Sequence, residues 1–319
     1  MNREAFERQY QDDWKRLGEL LDHLERVKKS DVCGGFPELY RRVCHQLALV
    51  RSRLYGTDLE QHLNGLVLRG HHQLYRRSGP TWTQVADFFV AGFPRLVRRE
   101  ARLVGVAVAL LFGPLLAMVA AVAARPELAY SVIDPATAAE YQSMYDPADS
   151  MERGSQTDFY MFGFYVYNNV SIAFQTFAGG ILFAVGSIVY LVINGVVIGT
   201  VAGHMVNVGN GDAFFPFVVG HGSFELVAIA LAGASGLKLG LALAAPGRRS
   251  RRAALVAAGR ESIRMVYGIF GMLVLAAFVE AFWSSSTVFP STVKYVAGGA
   301  GWVAVAAYFT LAGRDGRAA

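Results

Sequence analysis

Three ionisable side chains, His221, Glu225 and Glu280, stand inside apolar stretches of this 319-residue chain. Ionisable groups are costly in a membrane interior, so those that occur there are candidates for function. His221 and Glu225 are four residues apart and share one face of a helix. Together with neutral polar neighbours they predict a polar cavity for a transported solute, an ion or a partner. The residues assigned to this cavity are His221, Glu225, Glu280, Asn168, Asn169 and Asn194.

A structural role is the alternative for the first two of these residues. Pro216 and the glycines on both sides of His221 predict a break in the chain near that position. Residues 214–220 would then form a short re-entrant or interfacial piece, and residues 222–245 would form the span. Glu225 would fall in the first turn of that span, where a carboxylate stabilises the helix dipole.

The spacing of His221 and Glu225 would also suit two ligands of one metal ion. However, the segment HGSFE is not the HExxH of zinc proteases, and the sequence offers no evident third ligand. Cys33, Cys44 and the histidines near them lack zinc-ribbon spacing, and neither a Walker motif nor GxSxG occurs. We therefore expect no enzymatic activity, no metal and no cofactor.

Composition places these residues in a membrane protein. The chain is 53% hydrophobic and only 17% charged, whereas a soluble domain carries about 25% charged residues. Residues 1–102 carry a net charge of +5, residues 125–158 carry −5, and residues 246–264 carry +5. Because basic segments stay inside during membrane insertion, this alternation predicts a multi-pass membrane protein with both termini cytoplasmic.

The number of crossings depends on the middle of the chain. Residues 103–124 form the clearest span, since they include no charge and are long enough to cross the bilayer. Three crossings between residues 158 and 248 give six spans in total, whereas one crossing with a re-entrant hairpin at 159–203 gives four. We favour six. These spans are 103–124, 159–176, 177–203, 222–245, 266–284 and 295–312.

Helix geometry gives the depth of the charged residues in these spans. Glu225 lies about 30 Å from the cytoplasmic end near residue 246, and Glu280 lies about 24 Å beyond Arg264. Both carboxylates are therefore expected in the outer half of the bilayer. Lys238 is expected to extend to the cytoplasmic face and Lys294 to the outer face.

The predicted fold is all-α, with a cytoplasmic helical bundle at residues 1–80 and a transmembrane domain at residues 103–313. Residues 81–102 are rich in aromatic residues and end in arginines, which predicts an interfacial amphipathic helix; a fourth bundle helix is the alternative. Arginines beside the spans are expected to bind anionic lipid, and no nucleic acid is expected as a partner. They are Arg95, Arg98, Arg99, Arg102, Arg248, Arg249, Arg251 and Arg252.

Small residues in the spans predict close helix packing. Gly195, Gly199 and Gly203 form two overlapping GxxxG units, and Gly236 and Gly240 form another. Such faces allow two helix backbones to approach closely, because glycine has no side chain. The partner helix could belong to the same chain or to a second copy in a homodimer.

The segment His221-Gly222-x-x-Glu225-Leu226 resembles the stage II sporulation protein M family. The resemblance covers roughly residues 155–245, and the N-terminal part looks like the longer branch found in non-sporulating bacteria. The supporting residues are Asn168-Asn169 with Ile172-Ala173, Gly179-Gly180-Ile181, Asn194-Gly195 with Gly199, Leu231-Ala232-Gly233, and in the N-terminal part Phe36-Pro37-x-Leu39-Tyr40-Arg41 and Arg69-Gly70-His71.

The resemblance implies a multi-spanning inner-membrane protein without established catalytic residues. In spore formers the family is associated with a septal complex that remodels peptidoglycan. Relatives in the longer branch are encoded near a MoxR-type AAA+ ATPase and von Willebrand factor A proteins, which implies these as partners. The N-terminal bundle departs from the short sporulation form and argues against a sporulation role.

Two functions follow from the residues and the resemblance together. The favoured one is a membrane scaffold that docks cytoplasmic and envelope partners. The alternative is a permease or channel-like component that uses the polar cavity around His221 and Glu225.

Overall fold

The computed structural model of this chain describes residues 1–26, 35–74, 81–145, 155–286 and 288–314. Over these ranges it is almost entirely helical and contains no strand, so the all-α prediction is confirmed. The chain divides into two compact units, Met1–Thr81 and Trp82–Ala319. The α-helices are α1 (Arg3–Arg26), α2 (Phe36–Arg53), α3 (Thr57–Leu74), α4 (Trp82–Asp87), α5 (Phe93–Arg99), α6 (Ala101–Ala124), α7 (Pro135–Met144), α8 (Ser155–Ala178), α9 (Val185–Asn207), α10 (Gly211–Ala244), α11 (Arg251–Phe278) and α12 (Ser291–Leu311). Short 3₁₀ turns lie at Pro126–Ser131 and Gly179–Ile181, and π-helical turns lie at Phe88–Gly92 and Val279–Ser284.

The first unit consists of α1, α2 and α3 around one apolar core. The apolar stripes of the three helices meet there, and Phe6, Leu17 and Leu63 have no exposed surface. The indole Nε1 of Trp14 donates a 2.7 Å hydrogen bond to Oε1 of Gln46, so this buried polar pair is satisfied. Burial of these side chains provides most of the stability of a bundle this small.

The second unit contains the apolar helices. Four helical stretches of the described chain are long and apolar enough to cross a membrane: Ala101–Ala124, Val185–Asn207, Gly211–Ala244 and Arg251–Ser284. They indicate an integral membrane protein. The residues of the other two predicted spans form α8 and α12, which have 24 and 21 residues.

α10 is the central helix, since it packs against α6, α8, α9, α11 and α12. It runs without a break from Gly211 to Ala244, so the predicted break near residue 221 is wrong. Pro216, the sixth residue of the helix, cannot donate a backbone hydrogen bond to Asp212, yet the helix continues through it. Gly220 serves close packing, because a Cβ atom there would lie 2.7 Å from the ring of Trp283.

α6 and α9 pack in parallel through the first glycine series. A Cβ atom at Gly195 would clash with the carbonyl oxygen of Leu111, and one at Gly199 would clash with that of Leu115. Farther along both helices, a Cβ atom at Gly203 would lie 2.9 Å from Cβ of Val122. Because the residue numbers rise together, the two helices run the same way.

The second glycine pair packs α10 against the connection between α8 and α9. Gly236 lies against the carbonyl groups of Thr176 and Phe177, and Gly240 lies against the backbone of Ala184. All five glycines of the predicted packing faces therefore contact other parts of the same chain. These contacts require no second copy.

The segment from α4 to α5 belongs to the second unit. Phe93 is 1% exposed and packs where α11 has Gly268, a position at which any side chain would clash with its ring. The hydroxyl of Tyr308 on α12 donates a hydrogen bond to the carbonyl oxygen of Phe89. The aromatic stripe of this segment is thus directed largely at α11 and α12.

Candidate functional site

His221, Glu225 and Glu280 meet inside the second unit. One ligand atom from each lies within 4.8 Å of the other two. His221 and Glu225 project from successive turns of α10, and Glu280 projects from the π-helical turn after α11. His221 is 5% exposed and Glu280 is 8% exposed. The first two are the eleventh and fifteenth residues of their helix, so the interpretation of them as N-terminal caps is wrong.

Neighbouring groups fix the orientation of the His221 ring. Its Nε2 lies 3.9 Å from Oε2 of Glu225, and its Nδ1 lies 3.4 Å from Oγ of Ser284. The ring of Phe217 stands edge-on to the imidazole, with ring centroids 5.3 Å apart. The two ring nitrogens therefore face different partners, a carboxylate and a hydroxyl.

The three predicted asparagines have different positions. Asn169 on α8 is 3% exposed, and its Nδ2 faces the Glu225 carboxylate but makes no hydrogen bond of standard geometry to a described residue. Asn168 is exposed and donates a 3.2 Å hydrogen bond to Oδ1 of Asn169. Asn194 bonds to the carbonyl oxygen of Tyr190 on its own helix. The structure thus brings Asn169, but not Asn194, into contact with the cluster.

The π-helical turn that carries Glu280 is held from both sides. Gly220 of α10 allows the side chains of Trp283 and Ser284 to approach closely. From α12, Nζ of Lys294 donates a 2.7 Å hydrogen bond to the carbonyl oxygen of Ser284, so this lysine contacts the turn that carries the site. Single π-helical turns inside longer helices are frequent at functional sites.

The chemistry of the cluster follows from its charges. Two carboxylates and an imidazole lie together with little access to water, and two negative charges in such a place are strongly unfavourable unless a positive charge compensates them. Protons or a bound cation can provide such compensation. It could hold or pass a proton, or it could ligate a metal ion.

A second polar cluster on α10 was only partly anticipated. Nζ of Lys238 bonds to Oε1 of Glu100 at 2.6 Å and also to Glu261, which in turn pairs with Arg99 at 2.7 Å. These ion pairs of Lys238 were not predicted from the sequence, and the extension of this lysine to the cytoplasmic face stays a prediction. Its place in an apolar stretch was the available signal, since an intramembrane lysine requires an acidic partner. Lys238 lies 13 residues beyond Glu225, about 20 Å along α10.

Some of the arginines predicted to face lipid make contacts within the chain. Nε of Arg95 donates to the carbonyl oxygen of Gly313 at 2.7 Å, and Nη1 of Arg98 donates to that of Phe309 at 2.8 Å. These two guanidinium groups satisfy carbonyl groups at the C-terminal end of α12, where positive charge is favourable. The remaining arginines are all exposed, including Arg99, which pairs with Glu261: Arg99, Arg102, Arg248, Arg249, Arg251 and Arg252.

Comparison with known proteins assigns the two units separately. A family model described as Stage II sporulation protein M matches residues 104–285, more than half of the chain, and this range includes the whole His221, Glu225 and Glu280 cluster. A model described as Domain of unknown function (DUF8413) matches residues 4–76, which hold α1, α2 and α3. No curated protein and no solved structure matches the chain.

Proposed function

The chain belongs to the stage II sporulation protein M family, and from this premise we propose that it is a scaffold of the bacterial inner membrane. It would hold a MoxR-type AAA+ ATPase system, with von Willebrand factor A proteins, or envelope-remodelling proteins at the membrane. The observation that carries the proposal is the division into two units. A three-helix unit with its own core and its own family match precedes a membrane-embedded unit, an arrangement suited to docking.

The surface of α1, α2 and α3 supports a docking role. Its charged residues form exposed pairs, such as Arg69 with Asp22 at 2.5 Å and with Glu25 at 2.9 Å. Exposed ion pairs add little to stability, so these charges remain available to a partner. Leu68 on α3 is 54% exposed and offers an apolar contact on the same unit.

The proposed topology has six spans with both termini cytoplasmic. The parallel packing of α6 and α9 supports it, because two parallel spans need a crossing between them, and α8 provides one. α10 and α12 are also parallel, since Gly298 packs on Val219 and Gly301 packs on Ser223. α11 then provides the crossing between them. A homodimer through the glycine faces is not part of this proposal, because those faces are occupied within the chain.

Photo-cross-linking in native membranes tests the scaffold function. A photoreactive amino acid at Leu68 should capture the ATPase or a von Willebrand factor A protein as a discrete adduct. The matched control is Tyr267 on α11, which is 63% exposed in the second unit and should give mainly lipid adducts. The same adducts at both positions, or no discrete protein adduct at Leu68, would contradict the proposal.

A permease or channel-like role is the second candidate, and the buried His221, Glu225 and Glu280 cluster favours it. Ionisable groups at such positions often lie on proton or ion pathways. Proteoliposomes loaded with a pH-sensitive dye test this role. Glu225→Gln should reduce proton flux, whereas Asp212→Asn, in the first turn of α10, should not. Equal flux in wild type and Glu225→Gln would remove this candidate.

A further inference from the structure

The buried cluster contains a donor set that suits a metal ion. Its three members supply one imidazole nitrogen and two carboxylate oxygens, all within 4.8 Å of one another. The sequence alone showed two of these ligands on one helix turn. The third, Glu280, lies 55 residues after Glu225 and is brought in by the packing of α10 against the π-helical turn.

Asn169 provides a second and independent observation. Its side chain is almost fully buried on a different helix, and its Nδ2 faces the Glu225 carboxylate outside standard hydrogen-bond geometry. A buried donor in this position needs the carboxylate as its partner. An amide at this position can orient the Glu225 carboxylate, as the groups around metal ligands commonly do.

The orientation of His221 also suits a ligand. Metal-binding histidines usually direct their other ring nitrogen at a hydrogen-bond acceptor, which fixes the tautomer. Here Nδ1 faces Oγ of Ser284 and Nε2 faces Glu225. With the proton on Nδ1, the lone pair of Nε2 is directed toward the carboxylates.

We propose that His221, Glu225 and Glu280 together bind one divalent transition-metal ion of the Zn²⁺ or Mn²⁺ class. One imidazole with two carboxylates is a donor set that such ions accept, and the two carboxylates balance the double positive charge. Three protein ligands leave a further coordination position for water or for a group of a partner. The proposal is independent of the scaffold function, because a resident ion could hold α10 and the π-helical turn together in either case.

The spacing of the atoms is wider than this ion requires. Two ligand atoms on a tetrahedral zinc ion are about 3.4 Å apart. Nε2 of His221 and Oε2 of Glu225 are 3.9 Å apart, and all three ligand atoms lie within 4.8 Å of one another. Binding therefore requires side-chain rotations that draw His221, Glu225 and Glu280 together by about half an ångström to somewhat more than one ångström. Shared protons alone are the competing arrangement.

Zinc binding by the full-length protein tests the proposal. The chain is purified through a tag without histidine, reconstituted in nanodiscs, stripped with EDTA and dialysed against Zn²⁺. Elemental analysis should give one equivalent less zinc in Glu225→Gln and in Glu280→Gln than in wild type. Two matched controls should keep the wild-type value: His204→Gln, a buried histidine bonded to Gln142, and Asp212→Asn.

Measurements on wild type keep the test decisive even where a variant does not fold. Zn²⁺ at about 100 times its dissociation constant should raise the unfolding temperature by roughly 5–10 °C. X-ray absorption at the zinc edge should show one nitrogen with oxygen ligands. Equal zinc in wild type and both glutamate variants would overturn the proposal. So would a zinc edge without that ligand set, or an unfolding temperature that Zn²⁺ leaves unchanged.

Discussion

At the scale of single residues, the meaning of a glycine depends on what its missing side chain would meet. In α9, a Cβ atom at Gly199 would collide with the backbone of Leu115 on α6. In α6, a Cβ atom at Gly105 would have no neighbouring atom within 4 Å. The first glycine is required by close helix packing, whereas the second is only a weak helix former.

Alanine substitution should separate these two cases. Gly199→Ala should lower the free energy of unfolding by about 1–3 kcal/mol, because the helices must move apart. Gly105→Ala should raise it by about 0.5–1 kcal/mol, because alanine loses less entropy in a helix. Thermal unfolding in detergent measures both. Equal effects at the two sites would show that α6 and α9 do not approach through Gly199.

The ion pairs of Lys238 should be strongly coupled. Lys238→Met removes one of the two cations that contact both Glu100 and Glu261, the other being Arg99, so each carboxylate keeps only part of its charge compensation. A double-mutant cycle with Glu261→Gln should give a coupling energy of about 0.5–3 kcal/mol. A coupling energy near zero in chemical unfolding would show that the Lys238–Glu261 pair behaves as a solvent-screened surface pair and adds nothing measurable to stability.

At the scale of elements, α10 shows why a local pattern can mislead. Pro216 and two glycines within seven residues are a strong break signal in a soluble protein. The helix nevertheless continues, and Gly220 allows close contact with Trp283, a residue 63 positions later that no local pattern reveals. Helix rise placed Glu225 and Glu280 at similar depth, which led to one predicted cavity for them and His221, but it could not give the direct contact between the three side chains.

The two glycines beside His221 should respond differently to alanine. Gly220→Ala should displace Trp283 and the π-helical turn and should lower both the unfolding temperature and the zinc content. Gly222→Ala should be neutral or slightly stabilising, since its Cβ atom would make only an ordinary 3.7 Å contact within α10. If both variants retained wild-type stability, Gly220 would not position this turn.

The unit of α1, α2 and α3 should lose stability in acid. Hydrogen bonds from Arg42 hold the pKa of Asp13 below its ordinary value of 3.8. A carboxyl whose pKa is lowered by folding contributes its full stabilisation above the pKa of the unfolded chain. This stabilisation is lost as the pH falls through the lowered pKa of the folded chain.

Hydrogen exchange of the α1, α2 and α3 amides, corrected for intrinsic rates, measures this loss. Protection should decrease from pH 6 to pH 3 in wild type. Asp13→Asn should already be less protected at pH 6 and should change less with pH. Glu19→Gln, at an exposed position of α1, should behave as wild type. An Asp13→Asn profile identical to that of wild type would exclude this contribution.

At the scale of the whole molecule, the features that depend on summed composition could be predicted. The all-helical fold, the membrane class and the family follow from apolar lengths, charge alternation and a few spaced motifs. Contacts between distant helices could not be predicted, because many pairings satisfy the same hydrophobic pattern. The pairing of α6 with α9 and the bonds of Arg95 and Arg98 to the end of α12 belong to this second group.

The direction in which each helix crosses the membrane is the remaining prediction at this scale. In the six-span topology, the connection of α8 and α9 faces the cytoplasm, as do the residues before α11, whereas the connection of α11 and α12 faces outward. Single cysteines replace Leu182, Ser250 and Val288 in turn, in a chain with Cys33 and Cys44 changed to serine. Leu182 and Val288 are 66% and 80% exposed, so a reagent can reach either from its own side.

An impermeant maleimide added to intact spheroplasts should label the cysteine at 288 alone, and permeabilisation should add labelling at 182 and 250. Labelling at 182 before permeabilisation would favour four spans with a re-entrant hairpin at 159–203. That outcome would conflict with the parallel packing of α9 along α6, because a re-entrant α9 would not cross beside a full span. Labelling at 250 in intact spheroplasts would instead show that the proposed orientation is inverted. The arginine-rich segments would then lie outside, against the charge asymmetry that orients membrane proteins.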